Sequence, residues 1–150
     1  MNPLETLRNS LEFQTLRFSR LEATAAHALG ITTPQSGPME AAVRVNHGMR
    51  MAGQNEKTTR TVIFRMAAEV ESTDIGSIRV EIDALYLSQT DLSRGSIEEA
   101  GIEFAETEMS SIAYPYLREA VENLSGRVFP EPLVLPANLL QQQPQSSSSD

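Results

Sequence analysis

Between Arg60 and Ser72 the chain alternates strictly. Val62, Phe64, Met66, Ala68 and Val70 fall on one side, and Thr61, Ile63, Arg65, Ala67 and Glu69 on the other. That is the period of a strand with one buried face. "TDIG" then makes a turn, and "SIRVEIDALYLS" (77–88) repeats the pattern, with Ile78, Val80, Ile82, Ala84 and Tyr86 on the apolar side and Arg79, Glu81 and Asp83 opposite. A short turn between two such strands predicts antiparallel pairing. "MEAAVRVNH" (39–47) alternates from Val43 and reads as a further strand, followed by "GMRMAGQNEKTT" as turn or loop. The start is ambiguous. Leu4, Leu7 and Leu11 fit a helical stripe, as does Phe18 with Leu21, whereas "LEFQT" alternates. A short helical start and a strand over about Phe13–Leu21 are expected, then a Gly/Pro/Ser/Thr-rich loop over 30–38.

The second half changes period. Residues 91–111 are acidic and helix-compatible. Over 112–125, Leu117, Val121 and Leu124, with Ala113 and Ala120, repeat at helical spacing. Pro115 suits a first turn, and Gly126 a C-terminal stop. "QQQPQSSSSD" (141–150) is low-complexity and predicts a disordered tail behind a single domain, 1–140. Strands first and helices later give an α+β domain: a four-stranded antiparallel sheet, a meander, with the C-terminal helix on one face. The other sheet face is expected to be wet and charged. The apolar residues Leu117, Val121 and Leu124, beside Tyr114 and Tyr116, exceed what one thin sheet needs to cover, so this helix is expected to form an oligomer interface.

Composition narrows the function. The 150 residues are 40% hydrophobic and 21% charged, with a net charge of -8. An acidic chain without a basic run is a poor fit to nucleic acid and a better one to a basic protein partner. There is no cysteine, which excludes disulfides and thiolate metal sites. No apolar leader and no long apolar run is seen, so a cytoplasmic protein is expected. His27 and His47 have no patterned metal-ligand partners, and neither a phosphate loop nor a nucleophile elbow is present. The glutamate clusters read as solvated faces. Neither an enzyme nor a cofactor site is expected. Six methionines serve either as core filler or as an adaptable binding surface.

"YPYLREAVENLSGRVFPEPLVLP" (114–136) poses the main question. Its second half carries Pro130, Pro132 and Pro136 among Val128, Phe129, Leu133, Val134 and Leu135. Prolines forbid regular pairing and hold the backbone extended. Such a segment either plugs the core or walls an apolar groove, and the sequence leaves both open. In a plug, truncating a leucine costs stability; in a groove wall it costs binding.

"YPYLRE…LSGRVFPEPLVLPANL" resembles the SecB export-chaperone family, through Pro115, Tyr116, Arg118 and Glu119, then Phe129, Pro130, Leu133 and Leu135, then Pro136-Ala137-Asn138-Leu139. "FQTLR" (13–17) and "IRVEIDALY" (78–86) are similar to its first and fourth strands. The resemblance implies a nucleotide-independent holdase, dimeric or tetrameric, that keeps unfolded chains translocation-competent. The groove expected from it is lined by Phe129, Leu133 and Leu135, with Tyr86 and Val128. It also implies an acidic strand surface docking the motor SecA, placed here at Glu22, Glu81 and Asp83. Two departures stand out. Ala25 or Ala26 replaces a further acidic position, and Leu139-Leu140 leads into glutamines where a last helix is expected. The shortened end is closer to SecB-like chaperones of toxin–antitoxin systems, whose client is one antitoxin.

Overall fold

The computed structural model describes residues 2–26, 41–53 and 56–137. His27, the expected loop at 30–38, the Asn138-Leu139 end of the motif and the tail at 141–150 lie outside them. The chain opens on helix α1 (Pro3–Ser10). Asn2 Oδ1 accepts from the Glu5 amide (2.8 Å) while the Glu5 carboxylate accepts from the Asn2 amide (3.3 Å), and Pro3 occupies a position where no amide is missed. Leu7 is its buried anchor.

Four antiparallel strands follow: β1 (Leu11–Ala25), β2 (Ala42–Ala52), β3 (Thr58–Ser72) and β4 (Gly76–Ser93). Their order across the sheet is β1-β4-β3-β2. Strands β2, β3 and β4 form a meander, but β1 lies against β4, so the expected four-strand meander is corrected. The physical reason is the connection. Residues 26–41 separate β1 from β2, and extended chain at about 3.3 Å per residue easily crosses a sheet whose strands are about 4.8 Å apart. The stretch expected as loop after His47 is also corrected. Strand β2 continues to Ala52 because Met49 and Met51 keep the alternation and face Phe64 and Val62.

After β4 the chain is helical from Arg94 to Ser125: α2 (Arg94–Phe104), a π turn (Ala105–Met109) and α3 (Ser110–Ser125). Pro115 therefore sits inside a helix and not in its first turn. Its missing N–H is tolerated because Pro115 and Ser111 are exposed, leaving the unpaired carbonyl to water. Along this run the sheet-facing positions step by four: Ile97, Gly101, Ala105, Met109, Ala113, Leu117 and Val121, all buried. They cover the apolar face of β3 and β4, where Val62, Phe64, Met66, Val80, Ile82 and Ala84 are wholly buried. No helix among the described residues is long and apolar enough to cross a membrane.

Candidate functional site

The proline-rich segment is fixed by one face of α3. Gly126 caps the helix with an ordinary right-handed φ of -63°. Tyr114 Oη then donates to the Pro136 carbonyl (2.6 Å), Arg118 Nε donates to the Leu135 carbonyl (2.7 Å), and the Leu133 amide donates to Ser125 Oγ (2.6 Å). Positions 114, 118 and 125 recur on one helix face, and one of them, Arg118, is also a residue by which this stretch resembles a SecB-like motif. A segment with three prolines cannot answer its own carbonyls; α3 answers three of its backbone groups. Phe129 (4% exposed) and Leu135 (3%) are thereby held in the core, with half-buried Val128 and Leu133 packed against it. Val134 points away and is exposed. At the far end, Gly76 (φ 155°) is required by closeness: a Cβ there would collide with the Thr24 carbonyl and the Val128 side chain.

The open apolar surface lies on β1. Pairing with β4 sets Phe13 opposite Tyr86, Leu16 opposite Ala84, Phe18 opposite Ile82, Leu21 opposite Val80 and Ala23 opposite Ile78. All of these share the helix-side face. The spacing 13, 16, 18, 21, 23 fits neither a strand nor a helix. Two register shifts, between Phe13 and Thr15 and between Phe18 and Arg20, reconcile it. Each bulge adds one residue and returns the next apolar side chain to the same face. The helices cover β3 and β4 and leave the middle of this edge strand uncovered. Phe13 (39% exposed), Phe18 (41%) and Leu21 (53%) form an open apolar row along β1, called the gutter below. Their irregular spacing was the available signal, and it read as ambiguity between helix and strand.

At the Leu11 end, Tyr86 stands at the centre of a ring cluster. Phe13, Phe64 and Phe104 have centroids 5.6, 5.5 and 5.3 Å from it. Tyr86 is 3% exposed, and its phenol is pushed up to about 12, by burial first and by Glu108 second. Of the expected interface residues, Leu117, Val121 and Tyr114 are buried within this chain, Leu124 is half-buried and Tyr116 is exposed. His47 faces the helices: with Ser110 Oγ donating to the Ala105 carbonyl (2.9 Å), the His47 Nε2–H donates to Ser110 Oγ (2.7 Å). Burial lowers the His47 pKa, and Glu106 opposes it.

The opposite sheet face is charged and internally matched. Across the strands it reads Glu22, Arg79, Glu69, Arg44, then Arg20, Glu81, Ala67, Asn46, then Arg17, Asp83, Arg65, Gly48. Glu81 is 6% exposed beneath Arg79 (2.7 Å), Arg65 (3.3 Å) and Arg20 (3.8 Å). Arg65 also holds Asp83 through two bonds (2.8 and 3.1 Å), Arg20 holds Glu22 (2.9 Å), and Arg79 pairs with Glu69. Hydrogen bonding to Asp83 raises the Arg65 pKa, and bonding to Glu81 raises that of Arg79. Glu22, Glu81 and Asp83 thus share one face, each neutralised by arginine. No group of three metal-ligating side chains occurs among the described residues.

This architecture, a four-stranded antiparallel sheet carrying a C-terminal helix, is the SecB-like fold. It is similar to the solved structure of the Mycobacterium tuberculosis SecB-like chaperone Rv1957 in complex with a ChAD peptide from the HigA1 antitoxin. The likeness covers 89% of this chain and 91% of that one, at TM-score 0.65 and 18% identity. A protein of unknown function from Streptococcus agalactiae matches at TM-score 0.48 and 14% identity, over 84% of this chain and 96% of that one. No family model matches the sequence, and no curated protein does.

Proposed function

We propose that this chain is a nucleotide-independent polypeptide-binding chaperone that holds an extended, apolar client segment in the gutter beside β1. The observation that carries this reading is the exposed row Phe13, Phe18 and Leu21, kept on one face by two bulges. Bulged edge strands re-aim side chains at binding sites. A row of large apolar side chains open to water is also costly unless something covers it. An unfolded chain supplies that cover without needing a particular sequence, at about 25 cal/mol per Å² of apolar surface. Binding of this kind needs no catalytic step and no cofactor; it draws on mass action against the unfolded state.

The SecB-like neighbour was solved with an antitoxin peptide, and this favours a second, narrower reading in which a single antitoxin tail is the client. Docking of the motor SecA on the outer sheet face is less well served, because the carboxylates there are already held by arginines. We place the protein in the cytoplasm as a homo-oligomer, dimer or tetramer, in which several gutters act on one client.

The test is the double variant Phe18→Ser/Leu21→Ser. Binding of reduced, carboxamidomethylated lysozyme, which stays unfolded, should weaken by about tenfold or more, one lost apolar contact being worth about 1–3 kcal/mol. Wild-type binding would refute the assignment. A change in oligomeric mass with binding retained would give the row to a second copy of the chain. Competition between this probe and antitoxin peptides separates the general reading from the dedicated one.

A further inference from the structure

Among the described residues, one buried side-chain polar atom has no hydrogen-bond partner: the hydroxyl of Tyr86. Buried polar groups are nearly always partnered, and an exception calls for an explanation. Desolvating a phenol without compensation destabilises the free protein. Phenylalanine at this position would fill the same ring cluster without that penalty, so packing alone does not account for the hydroxyl.

We propose that the Tyr86 hydroxyl is the polar anchor of the gutter, donating to a main-chain carbonyl of an extended client whose apolar side chain displaces Phe13 from the Tyr86 ring. This rests on the client-binding reading above and adds the group that sets the register of the bound segment. Three observations carry it. Of the rings packed on Tyr86, Phe64 and Phe104 are buried, while Phe13 is open to solvent. Phe13 is thus the one solvent-open ring against Tyr86, and it belongs to the exposed row. The backbone register breaks directly after Phe13, and bulges of this kind re-aim side chains. The chemistry also matches. A neutral phenol donates one hydrogen bond. Clients chosen only for apolar side chains share the polar groups of their backbone, whose carbonyls accept hydrogen bonds. A client carbonyl taken out of water on binding needs a donor, and the apolar side chains of the row supply none. A phenol is protonated at neutral pH, and burial and Glu108 move its titration further up, so the donor is always present.

The test uses the full chain with Tyr86→Phe, read against the same unfolded lysozyme and the same Phe18→Ser/Leu21→Ser control. Tyr86→Phe should weaken binding of the unfolded chain about three- to tenfold, the scale of one hydrogen bond. The unfolding midpoint of the free protein should stay the same or rise. Binding of a small apolar dye without a peptide backbone should not change. Unaltered affinity for the unfolded chain would overturn the proposal. So would a lowered midpoint, which would show that the hydroxyl has a partner in the free protein. If the serine variant weakens binding and Tyr86→Phe does not, the gutter stands and the anchor falls. If the serine variant binds normally, both fall.

Discussion

Leu135→Ala discriminates between the two fates of the proline-rich segment. Leu135 is 3% exposed in the core cluster, and its own carbonyl is held by Arg118. Truncating a buried leucine costs about 2–5 kcal/mol, the transfer of the lost carbons plus the cavity left behind. The tethers from Tyr114, Arg118 and Ser125 restrain the backbone from collapsing into that cavity, which argues for the middle of the range, about 3 kcal/mol. For a chain of this length that lowers the melting temperature by about 6–12 °C. In urea the midpoint falls by about 1–2 M if the slope is near 2 kcal/mol/M. The companion Val134→Ala removes an exposed side chain one residue away and should shift stability by less than about 0.5 kcal/mol. Both variants are read by urea unfolding followed by far-UV circular dichroism, at equal protein concentration because oligomers unfold in a concentration-dependent way. An unchanged midpoint for Leu135→Ala would refute the core placement and return the segment to the groove wall that the sequence pattern also allows.

Glu81→Gln leaves three arginines converging on a neutral amide. Because those arginines reach water, the expected loss is only about 1–2 kcal/mol, with client binding intact; loss of client binding would show that the outer face takes part. His47 is held neutral by burial, so its folded pKa lies below the unfolded value of 6.5. Its contribution is therefore present above pH 6.5 and lost as pH falls from there through the folded pKa. His47→Gln should flatten the slope of stability against pH below 6.5, and an unaltered slope would remove His47 from the account. Light scattering at micromolar concentration should give the mass of a dimer or tetramer; a monomer would contradict the oligomer reading.

The regular parts of the fold were legible because their side chains obey one period. Val62 to Val70 and Ile78 to Tyr86 alternate, and the structure buries those sides. What the sequence hid was hidden by irregularity. Strand β1 carries apolar residues at intervals of three and two, and only paired geometry shows that Gln14 and Ser19 are the extra residues. Strand order was likewise not encoded locally, since β1 and β4 meet through a pairing of distant segments. On the outer face, Glu81 and Asp83 looked like free acid because the arginines that cover them come from β1, β3 and β4. The resemblance around Tyr114 to Leu135 singled out the proline-rich segment, yet a motif does not say which way Phe129 turns, and the structure buries Phe129 and Leu135 while the open apolar row lies on β1.

The π turn at Ala105–Met109 sets a rule for insertions and deletions. In a straight α-helix each step of four residues drifts by about 40°, so a stripe from Ile97 to Val121 would wind off the sheet. One extra residue, about 100° of rotation, brings the second half back. Deleting exposed Thr107 would leave every buried side chain chemically intact and still turn Leu117 and Val121 away from β3 and β4. Tyr114, Arg118 and Ser125 would rotate with them, off the segment they tether. The distance along the chain from α2 to that segment is therefore fixed to the residue. In a lineage of such proteins, length changes should collect before β2 and after Pro136, and almost never between Arg94 and Ser125.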